Sequence, residues 1–252
     1  MHNCHHAPAN TFQKVIEFFP CDRLGLSGTP TRVDGRHPTM FATLGPIILA
    51  KTEEDSCNTV PLDVLIKRIN GGDFVEFKMH KGEEIVDRVK MIANLTKCRY
   101  RNRQVAKLVR QRWLMGRSVV VFTERVAHAK WLVSLLEGLS VPCHIMLGGM
   151  NENEVLSRFE SAKKHNIPIV TTIALNAEGT NFPKWDCGIL ASPVSNKHSL
   201  KQLVGRVKRK YPNKTRCEWI DIVDSDTPPL HRTFLAEREP FYRKHAENIE
   251  EE

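Results

Sequence analysis

Short runs of β-branched and apolar residues at 119–122, 141–147, 169–172, 187–191 and 217–223 alternate with helix-patterned segments. This alternation limits the fold more tightly than any other feature of the chain. A strand followed by a helix and a further strand returns the chain in one direction, and such crossovers are right-handed in nearly all folds. The span 118–224 therefore predicts a mainly parallel α/β sheet flanked by helices. Val119 to Phe122 reads as a buried strand. Val126, Ala129, Val133 and Leu136 mark one face of the helix after it. Asn151 suits the cap of a helix over 151–162, with Glu154 three residues on, as in a capping box. Upstream, the spacing predicts helices over 11–19, 62–69, 83–95 and 102–115, and a strand over 74–79.

The segment 200–210 predicts a basic helix. At about 100° per residue, Gln202, Arg206 and Arg209 fall at about 0°, 40° and −20°, on one face. Leu203, Val204 and Val207 form a separate stripe fit for burial. Gly205 leaves room beside Arg206. Planar guanidinium forks match phosphate oxygens, so the face suits a polyanion; alternatively it is a solvated helix face. Before it, the strand 169–172 leads into the loop Asn176-Ala-Glu-Gly-Thr-Asn-Phe-Pro183. In α/β sheets, ligands bind at loops leaving strand C-termini.

These residues resemble the second RecA-like lobe of superfamily 2 helicases. Gln202-Leu-Val-Gly-Arg-Val-Lys-Arg209 is similar to motif VI, Q-x-x-G-R-x-x-R. Glu178-Gly-Thr-Asn-Phe-Pro183 is similar to motif V, E-G-x-D-x-P, with Asn181 in place of Asp. Ser118-Val-Val-Val-Phe-Thr-Glu-Arg125 resembles motif IV, and Leu24-Gly-Leu-Ser-Gly-Thr-Pro-Thr-Arg-Val-Asp-Gly35 resembles an extended motif III. The motifs stand in the family's order. The extension of motif III, followed by Leu44-Gly-Pro46, looks most like the DNA-translocating subgroup.

The resemblance implies a RecA-like, P-loop NTPase-type parallel sheet with a remnant of a first RecA-like lobe. It divides the chain into that remnant over 1–52, a linker and lead-in helices over 53–117, the second lobe over 118–225, and a C-terminal tail over 226–252. The tail is expected to be helical or frayed and to dock on the remnant. By the same resemblance, Gln202, Arg206 and Arg209 face the phosphates of ATP, the two arginines acting as fingers. Gly179 and Asn181 also lie near the nucleotide. Thr123, Arg125, Thr171, Thr172, Glu178 and Gly179 lie where the family touches the nucleic-acid backbone, which carries no base readout. Ser27, Thr29 and Arg32 resemble the element coupling the lobes. His128 reads as a packing residue.

The family's acidic box falls on His2-Asn3-Cys4-His5, and no G-x-x-x-x-G-K-[ST] occurs in these residues. Asn cannot act as a general base, and neutral His is a poor magnesium ligand. ATP and Mg2+ are therefore expected only where a first lobe is supplied, by another chain or by sequence outside this one. These residues alone are not expected to hydrolyse ATP. The alternative is a non-catalytic helicase-like module that binds nucleic acid or a partner; a third reading is an unrelated α/β enzyme acting on a small molecule.

A formal charge of +8 favours polyanionic partners, DNA or RNA. Residues 97–117 hold eight cations and no acid, which suits a nucleic-acid surface or a solvated helix face. No apolar run approaches the ~20 residues that span a bilayer, and no signal peptide is visible. Seven scattered cysteines suit free thiols in a reducing, intracellular compartment, cytoplasmic or nuclear. Cys4, His5, His6 and Cys21 match no common zinc spacing, so no metal site is expected.

Overall fold

A computed structural model describes residues 14, 18, 22–26, 35, 37–49, 58–177, 182–194 and 197–252, with only the backbone at 37, 176 and 177. The chain divides into two units, 1–57 and 58–252. In the first, helix α1 (His37–Leu44) buries Met40 against Phe41 and Leu44. The helix expected over 11–19 lies largely outside the described residues.

The second unit opens with strand β1 (Leu62–Ile69), the hairpin β2 (Phe77–His80) and β3 (Glu83–Val86), and helices α2 (Arg88–Lys97) and α3 (Arg99–Leu114). Strand β4 (Val119–Thr123), helix α4 (Val126–Gly138), β5 (His144–Met146), α5 (Glu152–His165) and β6 (Ile169–Thr172) follow. Next are the short helix α6 (Ile173–Ala177), β7 (Cys187–Leu190), α7 (Lys197–Val207) and β8 (Cys217–Asp224). The chain closes with α8 (Pro228–Thr233), a π-helical turn (Phe234–Arg238), α9 (Glu239–His245) and β9 (Asn248–Glu251).

Seven strands form one sheet in the order β5-β6-β4-β7-β8-β1-β9, and every pairing in it is parallel. This is the RecA-like sheet that the resemblance implies. Both faces are covered, which is why β4 and β6 are buried along their whole length. Val105, Ala106 and Val109 of α3, with Ala129, Leu132 and Leu136 of α4, pack on Val119 and Val121. On the opposite face, Leu200, Leu203, Val204 and Val207 of α7 pack on Val120, Phe122 and Trp219. From β4 the chain builds β5 and β6 on one side, then crosses to β7 on the other. The loop after β6 thus leaves the sheet where its strand order reverses, the usual place for a ligand.

Three expectations are corrected. Leu62–Ile69 is a strand, not a helix: its apolar residues at 62, 64, 65, 66 and 69 satisfy either period, and parallel pairing with all of Cys217–Asp224 decides. The helix expected over 83–95 begins only at Arg88, because Lys81 and Gly82 turn with φ of 53° and 85° and fold Glu83–Val86 back onto β2. The segment after 225 is part of the second unit. Tyr242 and Trp219 join through a 3.0 Å bond from the indole Nε1, and Tyr242 OH and Arg238 Nε donate to one oxygen of Asp221 at 2.8 and 2.7 Å. Strand β9 then pairs with β1. The sheet therefore reaches beyond 118–225 on both sides: 53–117 contributes a strand as well as helices, and 226–252 closes the sheet edge.

Candidate nucleotide and nucleic-acid face

Helix α7 positions the basic residues by burying its apolar stripe. Leu200, Leu203, Val204 and Val207 are each at most 2% exposed. Gln202 and Arg206 then sit on successive turns of one face, and Gln202 Nε2 lies 3.0 Å from His198 Nε2. Arg206 is itself 8% exposed. Burial, with the charge of Arg209, pushes its pKa down to about 10. Burial lowers Arg209 as well. Burial and the nearby charge of Arg209 thus both act on the Arg206 guanidinium. A Cβ on Gly205 would meet no atom within 4 Å, so the approach beside Arg206 is open.

The route to that spot differs from the helical-wheel expectation. Helix α7 ends at Val207, and Arg209 is not on it. The residues after the helix pair instead with the lead-in to β1: Arg209 bridges Thr59, Val60 N–H donates to Lys208 O at 2.8 Å, and Lys210 N–H donates to Asn58 O at 3.1 Å. Arg209 is held by this extended pairing, and its charge still acts on Arg206.

Lys214 was missed by sequence reasoning. Its ammonium, with three N–H donors, lies within hydrogen-bond reach of the carbonyls of Pro183, Trp185, Val207 and Arg209, the first at 3.3 Å and the last at 2.7 Å. It therefore ties the end of the motif V loop to the end of α7, fixing the backbone on both sides of the arginines. Burial pushes its pKa down to about 8. The turn at Asn213, with φ 66°, aims it inward, and Pro212-Asn213 was the only available signal.

The strand ends carry the other expected residues. Thr123 is fully buried, with its hydroxyl 2.6 Å from His128 Nδ1 and 3.0 Å from Ser192 Oγ. Those bonds hold the end of β4 against the start of α4 and the end of β7. His128 bonds onward to Asn102 Oδ1 at 2.9 Å. Burial and the charge of Arg101 hold its pKa down to about 3, so it stays neutral and structural. Thr171 and Thr172 end β6 and are buried. Arg125 is half-buried at the start of α4. Its Nη2 donates to Val89 O at 3.3 Å, while its buried Nε–H has no acceptor among the described residues. Glu178, Gly179, Asn181, Ser27, Thr29 and Arg32 lie outside the described residues, as do His2 and Asn3.

Among the described residues, no group of three His, Cys, Asp or Glu side chains is placed to hold a metal. No described helix is long and apolar enough to cross a membrane. Cys98, Cys143, Cys187 and Cys217 are free thiols.

Residues 101–211 match the family model of the helicase conserved C-terminal domain. A candidate ATP-dependent RNA helicase, L396 of Acanthamoeba polyphaga mimivirus, is 28% identical over 255 residues, covering 98% of this chain and 46% of its own. A fragment of a candidate HsdR subunit of a type I restriction enzyme from Vibrio vulnificus YJ016 has the same fold, with a TM-score of 0.70 and 19% identity over 96% of this chain and 46% of that one. Saccharomyces cerevisiae Dbp5, solved with RNA and ADP BeF3, matches all of this chain and 58% of its own at a TM-score of 0.64 and 10% identity. The chain spans less than half the length of the curated relatives it matches.

Proposed function

We propose that the chain carries the C-terminal, second RecA-like lobe of a superfamily 2 helicase and supplies the arginine-bearing half of an ATP-dependent nucleic-acid motor. Arg206 and Arg209 face the phosphates of ATP held by a first lobe. Such a lobe also supplies the phosphate loop and the carboxylates for Mg2+, which have no counterpart in these residues. Fixed guanidiniums at the transferring phosphoryl group stabilise the charge that develops there. The observation that carries the reading is geometric: Gln202 and Arg206 stand on one face of α7, and the extended pairing of 208–210 with 58–60 holds Arg209 just past the end of that helix.

Nucleic acid, with DNA favoured by the form of motif III, runs along the strand ends. Arg125 Nε–H lacks an acceptor there and suits a phosphate oxygen. Thr171 and Thr172 end the strand that leads into motif V. Thr123 is left out of this contact, because its hydroxyl is committed to His128 and Ser192.

The test is a chimera joining residues 24–252 to the intact first lobe of a relative. It should hydrolyse ATP. Arg206→Ala and Arg209→Lys should each lower turnover about 10³-fold or more while changing nucleotide affinity far less. Lysine keeps the charge and loses the planar fork. An active chimera indifferent to both arginines would refute the finger role. A folded chimera that binds nucleic acid without turnover would favour the non-catalytic module, a reading that His2, Asn3 and Asn181 support from sequence.

A further inference from the structure

The basic run 97–117 contains Lys97, Arg99, Arg101, Arg103, Lys107, Arg110, Arg112 and Arg117. The fold sorts these cations. Arg101, Arg112 and Arg117 pair with Asp224, Glu218 and Asp186. Arg99, Arg103, Lys107 and Arg110 are exposed, and among the described residues their side chains form no hydrogen bond or ion pair. On α3 these four fall within an arc of about 80° and span about 16 Å. That is a stripe of uncompensated charge, long enough for several phosphates of one strand.

One edge of the stripe is a cleft. Arg99 and Arg103 of α3 and Trp131 and Leu135 of α4 line a cavity of about 320 Å3. Each pair is spaced i, i+4, so each helix sends two side chains from successive turns into one gap. Trp131 is half-buried, and among the described residues no ring or cation stacks on it. An indole between guanidiniums takes a nucleobase on its face and the neighbouring phosphates on the arginines. An acidic peptide would satisfy the arginines alone and leave Trp131 and Leu135 without a role.

The cleft is separate from Arg206 and the helix α7 that carries it. Helices α3 and α4 pack on the sheet face carrying Val119 and Val121, whereas α7 packs on the opposite face. It continues from the strand ends, however: Trp131 follows Arg125 by about 9 Å along α4. We infer that the cleft between α3 and α4 is a second contact for single-stranded nucleic acid. It holds one base against Trp131 and the adjoining phosphates on Arg99 and Arg103, with Lys107 and Arg110 extending the track. The inference rests on the reading that this chain binds nucleic acid, and it lengthens the path onto the outer face of the lobe.

The test uses the full chain and a fluorescent oligothymidylate of about twenty nucleotides, with anisotropy read at several salt concentrations. Arg99→Ala with Arg103→Ala should weaken binding and flatten the log–log salt slope by about 1.4, at about 0.7 for each lost phosphate contact on a single strand. Trp131→Leu should weaken binding about five- to hundredfold and leave the slope unchanged, while Trp131→Phe, which keeps a stacking face, retains most of the affinity. Arg125→Ala serves as the comparison. Full affinity in both cleft variants alongside loss in Arg125→Ala would overturn the cleft and leave the proposed function intact. Polyglutamate bound through these residues, with oligothymidylate affinity unmoved, would overturn it in favour of an acidic protein partner.

Discussion

Breaking the Arg101–Asp224 pair tests how the strand ends are held. Arg101 lies in the first turn of α3, and Asp224 is the last residue of β8. The guanidinium donates through Nε and Nη2 to the two carboxylate oxygens at 2.6 and 3.0 Å, and through Nη1 to Ala191 O at 2.7 Å. Both side chains are almost wholly buried, at 0% and 2% exposure. Asp224→Ala leaves the guanidinium buried with only the Ala191 carbonyl, and Arg101→Met leaves the carboxylate buried; either change should cost about 3–5 kcal/mol. For a unit of this size that corresponds to a fall in Tm of about 6–20 °C. The double variant Arg101→Met with Asp224→Ala removes both charges and forfeits chiefly the bond to Ala191, worth about 1 kcal/mol. It should therefore be more stable than either single variant, with a coupling energy of several kcal/mol. Urea unfolding followed by tryptophan fluorescence gives the four corners of the cycle. If Asp224→Ala costs less than about 1 kcal/mol, or if the double variant loses the sum of the singles, the buried pair does not hold these strand ends together.

Two further changes probe the same lobe. His128 has a folded pKa of about 3, below its ordinary 6.5, so the unfolded chain takes up the proton first as pH falls. Its contribution is intact above pH 6.5 and is lost towards pH 3 at about 1.4 kcal/mol per pH unit. Urea stability between pH 7 and 4 should fall more steeply for the wild type than for His128→Gln, and equal slopes would count against a buried neutral imidazole. Gly188→Ala places a Cβ 2.7 Å from Trp219 Cε3 and 2.9 Å from Val207 Cγ2. It should cost about 1–3 kcal/mol through overpacking at the end of α7, and an unchanged melting temperature would show that the site yields freely.

Elements whose own residues decide their form were legible in the sequence, and elements decided by a distant partner were not. Strand β4 and helix α4 declare themselves through β-branching and a single apolar face. Leu62–Ile69 does not, because its pattern fits two periods and only β8 selects between them. The candidate site divides in the same way. Gln202 and Arg206 follow from helical spacing, whereas Arg209 was misplaced: the wheel was continued past Val207, where pairing with 58–60 takes over the backbone. The basic run is the sharpest case. By sequence its eight cations are equivalent, yet Arg101 finds its acid 123 residues away and Arg112 finds Glu218 106 residues away. Those acids are invisible to any local reading. They withdraw Arg101, Arg112 and Arg117 from the surface charge, and the exposed cations that remain on α3 share one stripe. A run that reads as an undifferentiated solvated face thus becomes, once folded, a directional row ending at a tryptophan. It is this subtraction by remote acids, not the number of basic residues, that gives α3 a face with chemical meaning.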